Sequence, residues 1–184
     1  MKKLFLLAAF GSLFGQQASA QALVTKTGHI TFFSSSPMEN IEAHNYKVKS
    51  GFDSKTGELT FEMLIKGFQF EKALMQQHFN EAEYMDSGKF PKSSFKGKVE
   101  DLSKVNFAKD GSYPVSVSGD MLIKGVTKPV KANGTLTVKG GKVGAKSEFT
   151  ISLKEYGVSG SAVKAGTVSD KIKITVEVKE FGGK

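Results

Sequence analysis

Residues 171–179 have the sequence KIKITVEVK, in which every even-numbered position is apolar and every odd-numbered position is polar. Successive side chains of a β-strand point to opposite faces, so this period of two predicts a strand with one buried face and one solvated face. The same alternation occurs at 59–65, 115–123 and 149–153, apart from Leu64. These four segments indicate a protein whose core is built from β-sheet.

Weaker strand signals and turn residues fill the chain between these segments. The weaker candidates lie at 29–33, 43–50, 94–102 and 130–138. Gly57, Gly111 and Gly140 stand in short polar stretches between candidates, where a hairpin needs a residue that tolerates positive φ. Frequent strands joined by short turns favour an all-β antiparallel barrel or sandwich, and we predict about eight strands in one domain.

Residues 70–81, FEKALMQQHFNE, depart from the strand pattern. Leu74, Met75, His78 and Phe79 would share one face of a short helix. The chain that follows is irregular and rich in Phe, Met and Tyr. We therefore expect a short helix or irregular segment near residues 70–90, placed so that it caps the end of a barrel.

The first twenty residues have the organisation of a signal peptide. Lys2 and Lys3 precede an apolar run at 4–14, and Ala18 and Ala20 supply the small residues of a cleavage site. The run is too short to span a bilayer, which takes roughly 20 apolar residues. We predict cleavage after Ala20, export to the periplasm, and a mature domain of residues 21–184.

Composition excludes several functions. The chain has no cysteine, which rules out thiol catalysis, a thiolate metal site and lipid anchoring through an N-terminal cysteine. All positive charge comes from lysine, and the net charge of +8 falls to +6 when Lys2 and Lys3 leave with the signal peptide. Because phosphate and base recognition favour arginine, we interpret the dispersed lysines as a solvated face and predict no nucleic-acid partner.

Catalytic and metal-binding motifs are absent from the sequence. There is no G-x-S-x-G elbow, no phosphate-binding loop and no H-E-x-x-H pair. His29, His44 and His78 are far apart along the chain, and the neighbouring carboxylates are spaced as ordinary solvated residues. We predict no enzyme activity, no cofactor and no metal site; a hydrolase or isomerase using the barrel as a reaction chamber would depend on His78 alone.

Two segments resemble a known family. Residues 89–97, KFPKSSFKG, resemble the signature segment of the YceI-like proteins, in which a basic residue, an aromatic residue and proline precede phenylalanine and a small residue. Residues 119–130, GDMLIKGVTKPV, resemble that family's later stretch ending in G-V-T-K-P-V. The resemblance implies an antiparallel lipocalin-like β-barrel whose cavity holds a long-chain isoprenoid or isoprenoid-quinone-like lipid in the periplasm.

A lipid in the barrel would enter through a mouth formed by residues 68–91. The predicted ligand-binding residues are Phe68, Phe70, Leu74, Met75, His78, Phe79, Tyr84 and Phe90. A phosphate or quinone head group would meet Lys89, Lys92 or His78. This chain has Leu153 where the family often carries arginine, and residues 68–81 look like a branch of the family, so ligand specificity is open.

A second hypothesis assigns the protein to another class. It is a non-enzymatic, stress-related or interaction module whose barrel is packed solid by its own Phe and Met side chains. Its basic outer face would then dock a partner or touch a membrane transiently. A homodimer is compatible with either hypothesis.

Overall fold

The computed structural model describes residues 23–36 and 40–182, so the predicted signal peptide lies outside the described residues. The strands are β1 (Leu23–Ser34), β2 (Ile41–Phe52), β3 (Glu58–Leu64), β4 (Gln69–Phe70), β5 (Lys92–Val99), β6 (Gly111–Ile123), β7 (Val126–Lys139), β8 (Lys142–Ser152) and β9 (Lys171–Phe181). The helices are α1 (Ala73–Asn80) and α2 (Ser161–Lys164), with 3-10 turns at Ile65–Gly67, Leu102–Lys104 and Leu153–Tyr156.

The sheet closes into a barrel because β1 pairs with β9 on one side and with β2 on the other. The order around the barrel is β1-β9-β8-β7-β6-β5-β3-β2, and every neighbouring pair is antiparallel. The two-residue β4 adds to β2 outside this circuit. The predicted all-β antiparallel barrel of about eight strands is confirmed.

The alternation in residues 171–179 determines which face of β9 is buried. Ile172 and Val178 are buried, whereas Lys171 and Lys179 are exposed. Each predicted strand corresponds to an observed one, although β5 ends at Val99 rather than at residue 102. The chain leaves the ladder there because the Asp101 carboxylate accepts hydrogen bonds from the backbone N–H and hydroxyl of Ser103 and starts a 3-10 turn.

The hairpin turn predicted at Gly111, before β6, is wrong. Gly57 and Gly140 have φ of 79° and 56°, as hairpin glycines should, but Gly111 lies outside the left-handed region and begins β6. The connection is a longer loop, residues 100–110. Its Asp110 carboxylate accepts a hydrogen bond from the Gly140 N–H at 2.8 Å, which ties the loop to the β7–β8 turn.

One end of the barrel, which we call the floor, is packed solid. Phe52 and Phe181, from the ends of β2 and β9, are almost fully buried. Their ring centroids lie 5.5 Å apart, and Phe107 of the 100–110 loop lies 6.0 Å from Phe52. Because Val105 of the same loop is also buried in this cluster, the loop plugs the barrel at this end.

The opposite end is covered by two segments, residues 65–91 with α1 and residues 153–170 with α2, which we call the roof. The predicted helix at 70–81 is confirmed as α1. Buried Met85 and Tyr156, one from each segment, belong to one apolar cluster. Among the described residues, no helix has the length and apolar character needed to cross a membrane.

A pair of glycines faces the barrel interior where β5 and β6 meet. Gly97 and Gly119 are directly opposite each other in the ladder. A Cβ atom on Gly119 would collide with the Lys96 carbonyl oxygen and with the Gly97 Cα atom. The Phe95 ring lies over both glycines. Glycine is therefore required here for a steric reason, although it is normally unfavourable inside a strand.

We expect Gly119→Ala to lower the free energy of unfolding by about 1–3 kcal/mol, the usual cost of overpacking. The added methyl group has only backbone atoms and the Phe95 ring to displace. Urea unfolding followed by circular dichroism measures the change. Gly88→Ala is the control, because nothing lies within 4 Å of its Cβ position; equal stabilities of the two variants would contradict the steric argument.

Candidate functional site

A cavity of about 440 Å³ lies inside the barrel between the floor and the roof. Inward-facing side chains of β1, β3 and β5–β9 form its wall, together with side chains from both roof segments. Phe61, Phe95, Val117, Met121 and Phe149 are among them, and each is only partly buried because it faces the cavity. The wall is almost entirely apolar.

The cavity exists because inward positions in the middle of the barrel carry small residues. Ala132 and Gly134 on β7 and Ala145 on β8 face the cavity. Gly97 and Gly119 occupy inward positions of β5 and β6 and are paired with each other. An eight-stranded barrel is just wide enough to be filled by its own side chains, so small residues at one level leave a hollow.

The roof is held above this hollow by an aromatic cluster. Phe79 of α1 lies 5.0 Å from Phe70, 5.6 Å from Phe68 and 5.4 Å from Phe32, measured between ring centroids. These are ordinary separations for attractive aromatic pairs. The helix is therefore fixed to β1 and β4 through its Phe79 side.

Polar contacts join the two roof segments. The Glu83 carboxylate accepts hydrogen bonds from the backbone N–H and the hydroxyl of Ser161, at 3.2 and 3.1 Å. These bonds lower the pKa of Glu83. Lys124 Nζ donates to the carbonyl oxygens of Ala82 and Gly157, at 3.1 and 3.3 Å. The segments are thus joined to each other and to the β6–β7 turn.

Asp170 anchors the second roof segment to β8. Its carboxylate accepts hydrogen bonds from the Ser152 hydroxyl at 2.7 Å and from the Lys154 N–H at 2.9 Å. Burial acts to raise the pKa of Asp170, but the two hydrogen bonds and the nearby lysines outweigh it, and the pKa is lowered. The carboxylate is therefore ionised in the folded protein at neutral pH.

Few polar groups face the cavity, and two hydroxyls without a partner lie toward the roof. The hydroxyl oxygens of Ser34 and Ser93 are buried, line the cavity and have no hydrogen-bond partner within the described residues. Ser34 ends β1 and Ser93 stands near the start of β5, so both are at the roof end. His78 also reaches the lining and is paired with Glu81 at 3.2 Å.

Most of the predicted ligand-binding residues meet at this cavity. The residues found in its lining are Phe68, Phe70, Met75, His78, Phe79 and Tyr84. Leu74 is 63% exposed on the outside of α1, and the Phe90 ring lies against Gly125 rather than in the lining. Lys89 and Lys92 also lie outside the lining, and Lys92 pairs with Glu62 at 3.2 Å. A role in binding stays a prediction for all of them.

The larger part of the lining was missed by reasoning on the sequence. It comes from strands, for example Phe61, Met63 and Phe95. The signal was present in the alternation, because inward positions of a strand share one phase. What the sequence did not show is which inward side chains touch each other and which face open space.

Two of the three histidines, which are far apart in the sequence, meet in the structure. His29 Nε2 lies 3.1 Å from His44 Nδ1, across the β1–β2 ladder. Burial, followed by the charge of His44, lowers the pKa of His29. Within the described residues, no group of three or more His, Cys, Asp or Glu side chains is arranged to hold a metal ion. His78 remains apart from this pair, on α1.

One known family matches most of this chain. The family described as YceI-like domain matches residues 17–180. A similar solved structure is a polyisoprenoid binding domain from Saccharophagus degradans, implicated in plant cell wall breakdown. Its TM-score is 0.71 at 11% identity, and the match covers 85% of this chain and 97% of that domain. BcnA of Burkholderia cenocepacia has a TM-score of 0.68 at 15% identity, covering 82% and 94%.

A third solved structure spans the whole chain. The YCEI protein of Campylobacter jejuni has a TM-score of 0.58 at 18% identity, covering 100% of this chain and 99% of its own. At these identities the likeness is one of fold. No match was found among curated proteins.

We expect Asp170→Ala to lower the free energy of unfolding by about 1–2 kcal/mol at neutral pH, since two hydrogen bonds to a charged, partly exposed group are lost. The folded pKa lies below its ordinary value of 3.8, so the stabilisation is complete above that value and is lost as the pH falls through the folded pKa. Unfolding measured against pH should show the variant and the wild type converging in acid. Exposed Asp120→Ala is the control, and a pH-independent difference would exclude this role for the Asp170 charge.

Proposed function

This chain belongs to the YceI-like family, and on that basis we propose that it binds a long-chain isoprenoid or an isoprenoid-quinone-like lipid inside its barrel. We propose further that it does so in the periplasm, as a binding protein without catalysis. The observation that carries the proposal is the apolar cavity of about 440 Å³ between a sealed floor and a roof of two segments.

The energetics of the cavity favour a hydrocarbon chain. Burying one methylene-sized group stabilises a complex by about 0.8 kcal/mol, so each five-carbon isoprene unit contributes about 4 kcal/mol before the costs of association. Three enclosed units, about 12 kcal/mol less an association cost of at least about 4 kcal/mol, would support binding of about micromolar affinity without an ionic contact. A ligand of this kind fits a wall whose polar atoms are few.

The ends of the cavity give the ligand a direction. The floor is closed by Phe52, Phe107 and Phe181, so a tail would point toward it. The unpartnered hydroxyls of Ser34 and Ser93 lie at the roof end, where a polar head group would receive hydrogen bonds. Ligand sites generally combine an apolar wall with a few polar groups that fix orientation.

The likeness to a polyisoprenoid binding domain from Saccharophagus degradans supports the choice of ligand class. The second hypothesis, a solidly packed barrel acting as an interaction module, is disfavoured because the middle of the barrel is hollow. Catalysis is the less favoured alternative, since the cavity lining combines almost wholly apolar side chains with isolated hydroxyls and His78.

To test ligand binding, we would purify the protein gently and record its native mass spectrum. We expect wild-type protein to retain a prenyl lipid, and Ala132→Trp to lose it because the indole fills the middle of the cavity. Thr137→Trp, on the same strand but facing solvent, is the matched control and should keep the lipid. Circular dichroism would verify that both variants fold.

The outcome that contradicts the proposal is wild-type protein that carries no prenyl lipid and binds none when a solubilised prenyl quinone or prenyl alcohol is added. Lipid retained equally by Ala132→Trp and Thr137→Trp would place the ligand outside the barrel.

Export has its own test, because it rests on residues 1–20 alone. When the full chain is expressed in a Gram-negative host, we expect the protein in the periplasmic fraction with Gln21 at its N-terminus. Intact-mass measurement and N-terminal sequencing decide this. Recovery of an uncleaved chain from the cytoplasm would contradict the proposed location.

A further inference from the structure

A cluster of polar rings lies on the outer face of the barrel, away from the cavity. Ile30 on β1 and Ala43 on β2 are buried on the inner side, so the adjacent residues His29 and His44 point outward. Tyr46 stands directly beyond His44 on the same face. The proposed lipid site does not involve these three side chains.

Three side-chain nitrogen and oxygen atoms of this cluster form an almost equilateral triangle. His29 Nε2 and His44 Nδ1 are 3.1 Å apart, and Thr31 Oγ1 lies 3.1 Å from each of them. Neighbouring antiparallel strands hold the three residues: Thr31 is opposite His44, and His29 lies at the register shift between Gly28 and Ile30.

The rings are also oriented by their neighbours. His44 Nε2 faces the Glu42 carboxylate at 3.4 Å, which favours a proton on that nitrogen and leaves the Nδ1 lone pair free to ligate. A carboxylate on the far nitrogen of a ligating histidine is the usual outer-shell partner at metal sites. The Tyr46 ring stacks on His29 with centroids 4.4 Å apart and on His44 at 5.7 Å.

We propose that His29 and His44 bind one divalent transition-metal ion on the outer face of the barrel, with copper(II) bound most tightly. Metal–nitrogen bonds of about 2.0–2.1 Å to atoms 3.1 Å apart enclose an angle of about 98° at the metal. That angle lies between those of tetragonal and tetrahedral sites. Imidazole ligands suit copper, nickel and zinc, and affinity for a given site peaks at copper.

The site has two strong ligands and open positions. Thr31 contributes a weak third contact through its hydroxyl, and solvent completes the coordination shell. The His44 side chain is 34% exposed, so an ion reaches the site directly. Binding requires His29 to carry its proton on Nδ1 instead of Nε2, a change of tautomer that releases no net proton. Glu177, opposite His29 on β9, adds negative charge nearby, and Lys179 opposes it.

The test is a titration of the tag-free protein with copper(II), followed by calorimetry and electron paramagnetic resonance. We expect one copper per chain with nitrogen ligands. His29→Gln and His44→Gln should each weaken binding at least tenfold, and Glu42→Gln should weaken it about tenfold through His44. Lys49→Gln, an outward-facing change further along β2, is the control and should bind as the wild type does.

Tyrosine fluorescence gives a second readout of position. The chain has no tryptophan, so its emission comes from four tyrosines. Copper bound at this site should quench Tyr46, and Tyr46→Phe should retain binding while losing that quenching. Equal copper affinity in the wild type and both histidine variants would overturn the proposal, as would a spectrum without nitrogen ligands. Because lipid retention is measured separately, failure here leaves the proposed lipid site unaffected.

Discussion

The pairing of β1 with β2 is the constraint on which the rest of the structure depends. Without it the sheet would have two free edges; with it, the alternation in every strand becomes a division between inside and outside. Gly28 sits where the β1–β2 register shifts, and a Cβ there would lie 3.1 Å from the Val48 carbonyl oxygen. A side chain at this position would therefore press against the backbone of β2 at the register shift.

Once the barrel is closed, the size of each inward side chain determines whether that level is filled. Phe52 and Phe181 fill the floor, whereas Gly97, Gly119 and Ala132 leave the middle open. The floor is stabilised mainly by apolar burial. The roof combines its aromatic cluster around Phe79 with polar contacts at its margins, such as the hydrogen bond between Ser161 and Glu83.

The fold could be predicted because its signal is local. The strand at 171–179 could be predicted from the period of two alone. The family resemblance then distinguished a barrel from a sandwich. The site could be predicted in part: the aromatic segment that contributes Phe68, Phe79 and Tyr84 was found because it broke the pattern. The helical spacing placed Leu74 and Met75 on the same predicted face of α1. Leu74 nevertheless faces solvent, because α1 docks on the barrel through Phe79. Docking direction is a tertiary property that no short sequence window contains.

The meeting of two histidines is a second feature that no short sequence window contains. His29 and His44 are fifteen residues apart, and no metal-binding spacing joins them. They meet because both lie in the outward phase of neighbouring antiparallel strands, in a register fixed by closure of the barrel. The side chains of Ile30 and Phe32 in the same strand face the cavity. One strand thus contributes to two separate sites, and only backbone displacement of β1 can couple them. Because a closed ladder resists such displacement, we expect the interior and the outer face to bind their ligands independently.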